Sequence, residues 1–96
     1  MNQKTKATRV RLRCKGPVEI DVNPTITLPP GTYEAEAKQF GVPTLGGRIS
    51  WTDPEYLIEL SGDQIQQYGG KPNATPLISA EYDVTQFVKK GVLTLD

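Results

Sequence analysis

Arg9, Arg11, Arg13 and Lys15 occupy every second position of one short stretch, with Lys4 and Lys6 just before them. A strand through these residues would turn a row of cations to one side, an arrangement that can neutralise successive phosphates and release their counterions. Residues 1–15 hold these six bases and no acid, a charge of +6, while residues 16–96 hold five bases and eleven acids, a charge of −6. Domains that bind nucleic acid are usually basic overall and set aromatic rings beside the cations. This chain is neutral overall, and no aromatic falls between Arg9 and Lys15. A solvent-facing strand whose charges are matched by acids on its neighbours is therefore the first reading of the row, and polyanion binding the second.

The other reactive residue types point away from catalysis. Histidine is absent and Cys14 is the single cysteine, so neither a Ser-His-Asp nor a Cys-His arrangement is available, nor a zinc site of the usual ligands. One thiol cannot close an internal disulfide. It shares an alternating face with Val10 and Leu12, which suits a buried small apolar group better than a reactive thiol. Asp53, Glu55, Glu59 and Asp63 are close in sequence. On a strand, however, Glu55 and Glu59 would stand about 13 Å apart on one face. That is beyond even the range of about 6.5–9.5 Å between the carboxyl groups of inverting glycosidases. Gly69-Gly70-Lys71 resembles part of a phosphate loop, but Lys71 is followed by Pro72 instead of Ser or Thr. Lys71 is better read as a contact residue of an exposed loop over 69–76. The single tryptophan, Trp51, is expected at the centre of the core, and a binding patch with Tyr56 is the alternative. No catalytic residue, cofactor site or metal site is assigned.

Short strands must position these groups. Val10, Leu12 and Cys14 alternate with the cations, and Val18, Ile20 and Val22 alternate with Glu19 and Asp21. A hairpin with residues 15–17 as its loop would set Arg13 across from Glu19 and Arg11 across from Asp21. Lys4, Lys6, Arg9 and Lys15 would remain uncancelled, with Glu34 or Glu36 as further acids within reach of the row. A second hairpin is expected to turn on Pro30-Gly31, aligning Leu28 with Tyr33 and Ile26 with Ala35. Residues 41–47 read as an irregular loop, expected with loop 69–76 and any unpaired sheet edge as a contact surface, and Ile49 with Trp51 as a strand. Tyr56, Ile58 and Leu60 mark another strand, with a capped turn at Asp53 as an alternative to a direct connection.

Two short helices close the chain. Ser61 and Gln64 have capping-box spacing, with Leu60 and Ile65 as the staple, and Gly69 follows as the helix stop. Asp83 and Gln86 repeat the pattern, with Tyr82 and Phe87 as the staple and Gly91 as the stop. Strands are expected over 77–82 and 92–95.

The fold expected is α+β and β-rich. Antiparallel hairpins would form a small roll or open barrel of about six strands, with two short helices in the C-terminal third. Residues 1–7 read as a flexible N-terminus and 8–96 as one small domain. The chain has no apolar run long enough for a membrane span and no secretory pattern at its start, and with a free thiol this favours the cytoplasm. A core this small gives marginal stability alone, which favours association. The expected function is protein–protein contact as an accessory or assembly subunit, with a protein partner or a homo-oligomer. Binding of nucleic acid through residues 9–15 is the alternative, and an enzyme comes third.

Overall fold

A computed structural model describes residues 4–22, 25–69 and 79–96. The described residues form eight strands and two short helices. They run β1 Lys4–Cys14, β2 Val18–Asp21, β3 Ile26–Leu28, β4 Gly31–Pro43, β5 Ile49–Trp51 and β6 Glu55–Ser61. There follow α1 Gly62–Gln67, β7 Ser79–Asp83, α2 Thr85–Lys89 and β8 Leu93–Leu95. One antiparallel sheet has the order β7-β6-β4-β1-β8, with β5 also on β4, and β2 and β3 make a second, two-stranded sheet. The fold is thus small, α+β and β-rich, and its main sheet is open.

Neither expected hairpin forms. β1 pairs with β4 over eleven positions, from Lys4 opposite Gly41 to Cys14 opposite Gly31. Its last three residues also pair with β8, while β2 pairs only with β3. Alternation fixes which face of a strand is buried but does not name its neighbour. Arg11 finds an acid opposite it either way: it faces Glu34 instead of Asp21, and Leu12 faces Tyr33 instead of Ile20. Gly16-Pro17 and Pro29-Pro30 therefore lie between strands of different sheets. Val18, Ile20, Ile26 and Leu28 remain buried, in one core with Leu12, Cys14 and Tyr33.

Leu12, Ile26, Leu28, Ile58, Leu60, Val84 and Leu93 are the most deeply buried large side chains. Trp51 is not among them. It sits half-buried on β5, away from the core where it was expected. The loop expected over 41–47 is shorter, because Gly41, Val42 and Pro43 continue β4 and pair with Trp51, Ser50 and Ile49. Residues 44–48 close this hairpin, with Thr44 N–H donating to the Arg48 carbonyl at 2.9 Å. β5 and β6 then lie end to end along one edge of β4, interrupted at Asp53-Pro54. Residues 4–7, expected as part of a flexible N-terminus, are the start of β1.

The first helix follows its sequence pattern. Ser61 Oγ accepts from Gln64 N–H at 3.2 Å, and Gln64 Oε1 accepts from Ser61 N–H at 2.9 Å. Ile65 is buried, and Gly69 follows with φ 116°. The second helix departs by one residue. Val84 is its N-cap, and no Asp83–Gln86 box forms. Val84 is fully buried and its N–H is committed to the Tyr56 carbonyl at 2.8 Å, so the helix starts beyond it. Asp83 instead accepts from Thr85, through both its N–H and its hydroxyl. The strand expected over 77–82 is found as β7, while 77–78 and most of loop 69–76, including Lys71, lie outside the described residues.

Candidate functional site

Beyond the core, the sheet continues as a ribbon. Residues 4–8 of β1, 38–43 of β4 and all of β5 lie side by side, and none of the buried apolar core residues falls among them. The ribbon goes with a long molecule, 51 × 31 × 21 Å, with a Cα radius of gyration of 15.8 Å. A compact chain of this length would have about 12.5 Å. We call residues 4–8 and 38–52 the arm.

Its charge is of one sign. Lys4, Lys6, Lys38 and Arg48 are in the arm, and no acid occurs between Glu36 and Asp53. The arm carries +4, leaving seven bases and eleven acids, a charge of −4, in the rest of the chain. Two of the cations stand over aromatic rings. Lys6 Nζ is 4.0 Å from the centroid of Trp51, and Lys38 Nζ is 5.8 Å from that of Phe40. Such contacts hold the ammonium against the arm with about 0.5–1 kcal/mol at exposed sites.

Backbone chemistry makes room for the tryptophan. Gly41 lies between Lys4 and Trp51 in the ladder. A Cβ there would come within 2.7 Å of Ile49 Cγ2 and 3.1 Å of the indole ring. The absent side chain is thus the space that Ile49 and Trp51 occupy. Thr52 fastens the far end of β5: its N–H donates to the Phe40 carbonyl at 2.9 Å, and its Oγ1 accepts from Phe40 N–H at 3.0 Å. At the tip, Leu45 is fully exposed, and Val42 beside it is also exposed.

The expected cationic row is present, and two of its four charges, Arg9 and Arg13, are locally matched. Arg9, Arg11 and Arg13 point to the open face of the sheet, opposite the core. Arg9 pairs with Glu34 at 3.2 Å, and Arg13 with Asp96 at 3.8 Å. These are exposed pairs, worth roughly 0–1 kcal/mol each. They matter here for sign, because a phosphate tracking the row would meet carboxylates beside it. The matching acids come from β4 and the chain end, and not from Glu19 or Asp21. Lys15 is exposed just past the body end of β1, far along the chain from the arm.

Trp51 and Tyr56 do not form one patch. They pair with Gly41 and Ala37, two same-face positions of β4 about 13 Å apart along the strand. Tyr56 packs on the core, and its N–H donates to Thr85 Oγ1 at 2.9 Å. Glu55 and Glu59 do share an exposed face. Among the described residues no group of three or more Asp, Glu or Cys side chains converges as metal ligands would. No helix among them is long and apolar enough to cross a membrane. Burial pushes the Cys14 thiol up from its usual range. The sulfur lies 2.7 Å from the Gly16 carbonyl oxygen, a weak donor with its acceptor.

Sequence reasoning picked out Lys4 and Lys6 as uncancelled and loop 41–47, which holds Leu45, as a contact surface, but missed Lys38, Phe40 and Arg48. The available signal was the acid-free run between Glu36 and Asp53. Comparison with protein-family models, with curated proteins and with solved structures finds no match.

Proposed function

We propose that this is a non-catalytic protein that works by contact, an accessory or assembly subunit whose arm meets an acidic protein surface. The observation that carries the reading is the arm itself: four cations, no acid, and an exposed leucine at the tip. Apolar Leu45 and Val42 beside charge suit a protein surface, where a small desolvated anchor ringed by polar groups gives most of the affinity. Opposite charge on the partner would speed and orient the encounter. Cytosolic work fits the free thiol of Cys14, which stays reduced there.

Binding of single-stranded nucleic acid is the second reading, favoured by Trp51 and Phe40 lying beside Lys6 and Lys38. It ranks lower because the cations already stand over the ring faces on which bases would stack, and because Arg9 and Arg13 are paired with acids.

A photo-crosslinking residue at position 45 tests both in a lysate of the native source. The expected result is one defined protein adduct, acidic in composition, that is lost when Lys4 and Lys6 are both changed to Glu. A nuclease-sensitive adduct in its place would overturn the first reading in favour of the second. No adduct, or one indifferent to the charge reversal, would overturn both.

A further inference from the structure

Among the described residues two edges of the main sheet are open, and their backbone groups can be assigned. In an antiparallel ladder the N–H and C=O of one residue point to the same side, and successive residues alternate. The Arg11 carbonyl accepts from Asp96 N–H at 3.0 Å, so odd-numbered residues of β1 face away from β4. β8 covers β1 only at Leu12, Arg13 and Cys14. Thr5, Ala7 and Arg9 therefore present outward N–H and C=O groups that have no ladder partner among the described residues. At the opposite edge, Val84 N–H donates to the Tyr56 carbonyl. Even-numbered residues of β7 thus face β6, and Ser79, Glu81 and Asp83 face outward, again with no ladder partner among the described residues.

The two edges differ in sign. Lys4, Lys6 and Arg9 lie on the first, Glu81 and Asp83 on the second. Pairing β1 with β1 of another copy sets cation against cation, and β7 with β7 sets acid against acid. Like charges directly opposite are destabilising, which disfavours both symmetric arrangements. Only the mixed pairing matches.

We propose that copies of this chain associate head to tail, residues 7–10 of β1 adding antiparallel to residues 80–83 of β7 in the next copy. One register satisfies backbone and side chains together. Ala7 faces Asp83, and Arg9, which lies beside Glu34 of its own chain, faces Glu81 of the second copy; both pairs exchange ladder hydrogen bonds and turn their side chains to the open face. Thr8 then faces Tyr82, and Val10 faces Ala80, on the core side. A slip of one residue would put the half-buried Val10 and Tyr82 on opposite faces. A slip of two sets Lys6 against Tyr82 in one direction, and in the other displaces Asp96 from Arg11. Such a contact uses two different surfaces, so it repeats into a ring or an open filament and does not stop at a dimer. Of the arm it uses only Ala7 and Thr8 at the inner end, and residues 38–52, with Leu45 at the tip, take no part.

The test is sedimentation velocity on the purified full chain across a concentration series at low salt. Wild type is expected to form species larger than a dimer. Arg9→Glu alone and Glu81→Arg alone are each expected to lose them, and an equimolar mixture of the two variants to regain them, because every contact in the mixture then pairs opposite charges. Ala7→Pro removes an outward N–H while leaving the ladder to β4 intact, and is expected to abolish association with unchanged circular dichroism. A wild type that stays monomeric throughout, association indifferent to Glu81→Arg, or no recovery on mixing would each overturn the proposal.

Discussion

At the scale of single residues, two positions join local chemistry to measurable behaviour. Gly41 leaves the space that Ile49 and the Trp51 ring fill, and both neighbours are edge-strand side chains. Gly41→Ala is expected to push the indole outward and separate it from Lys6. The tryptophan emission should shift to the red and be quenched more readily by iodide, with a stability loss of about 1–3 kcal/mol from overpacking. An unchanged spectrum would mean the ring does not lie over Gly41. Tyr33 is the second position. Its hydroxyl donates to the Pro29 carbonyl and its ring meets Tyr68 edge-on at 6.4 Å. Burial, with Tyr68 beside it, pushes its pKa from 10.0 to about 12. The folded state thus keeps a proton that the unfolded chain releases near pH 10. The resulting stabilisation is complete below that pH and is lost as pH rises towards about 12. Urea denaturation between pH 9 and 12 is expected to show wild-type stability falling more steeply than that of Tyr33→Phe. Parallel slopes would refute the assignment.

At the scale of elements, the side-chain hydrogen bonds at the two helix starts differ in what surrounds them. The Ser61 and Gln64 box is exposed, so Ser61→Ala is expected to cost about 1 kcal/mol. For a domain of this size that lowers the melting temperature by roughly 4–8 °C. Thr85 is buried, and its hydroxyl links Asp83 to the backbone of Tyr56. Thr85→Val keeps the shape but leaves the Tyr56 N–H without its partner, at an expected cost of about 1–3 kcal/mol. Calorimetry in which Ser61→Ala proved the more damaging would reverse this ranking. The same two helix starts show how far the sequence was legible. Local rules placed α1 and its box because Ser61, Gln64 and Ile65 act within one turn. They misplaced the start of α2 because Val84 answers to a non-local demand, burial and a bond to Tyr56. Strand pairing failed for the same reason. The alternation of Val10, Leu12 and Cys14 announced a buried face, but Glu34 and Asp21 are equally good partners for Arg11 until the two sheets are layered. The arm was hidden because Lys6 and Lys38 are far apart in sequence and adjacent only after β1 pairs with β4.

At the scale of the whole molecule, charge and core are segregated. Every buried apolar core residue lies in the acidic body, whereas the basic arm is held by ladder hydrogen bonds, ring contacts and the Thr52 clamp. Cooperative stability follows buried contacts, and segments with few of them open locally at lower free energy. The arm should therefore open without the body. The register puts bonded amides in both places: Lys6, Gln39, Val42 and Ser50 in the arm, Leu12, Tyr33 and Ile58 in the body. Native-state hydrogen exchange is expected to release the first group through small openings that vary little with denaturant, and the second only on global unfolding. Charge sharpens the contrast, since four cations on one ribbon repel each other and salt weakens that repulsion. Raising the salt should slow exchange of the arm amides while leaving the body amides nearly unchanged. If all seven amides share one opening free energy, the arm belongs to the same cooperative unit as the core. The mobile-arm account would then be wrong, and a partner would meet a rigid blade instead of a ribbon that orders on contact.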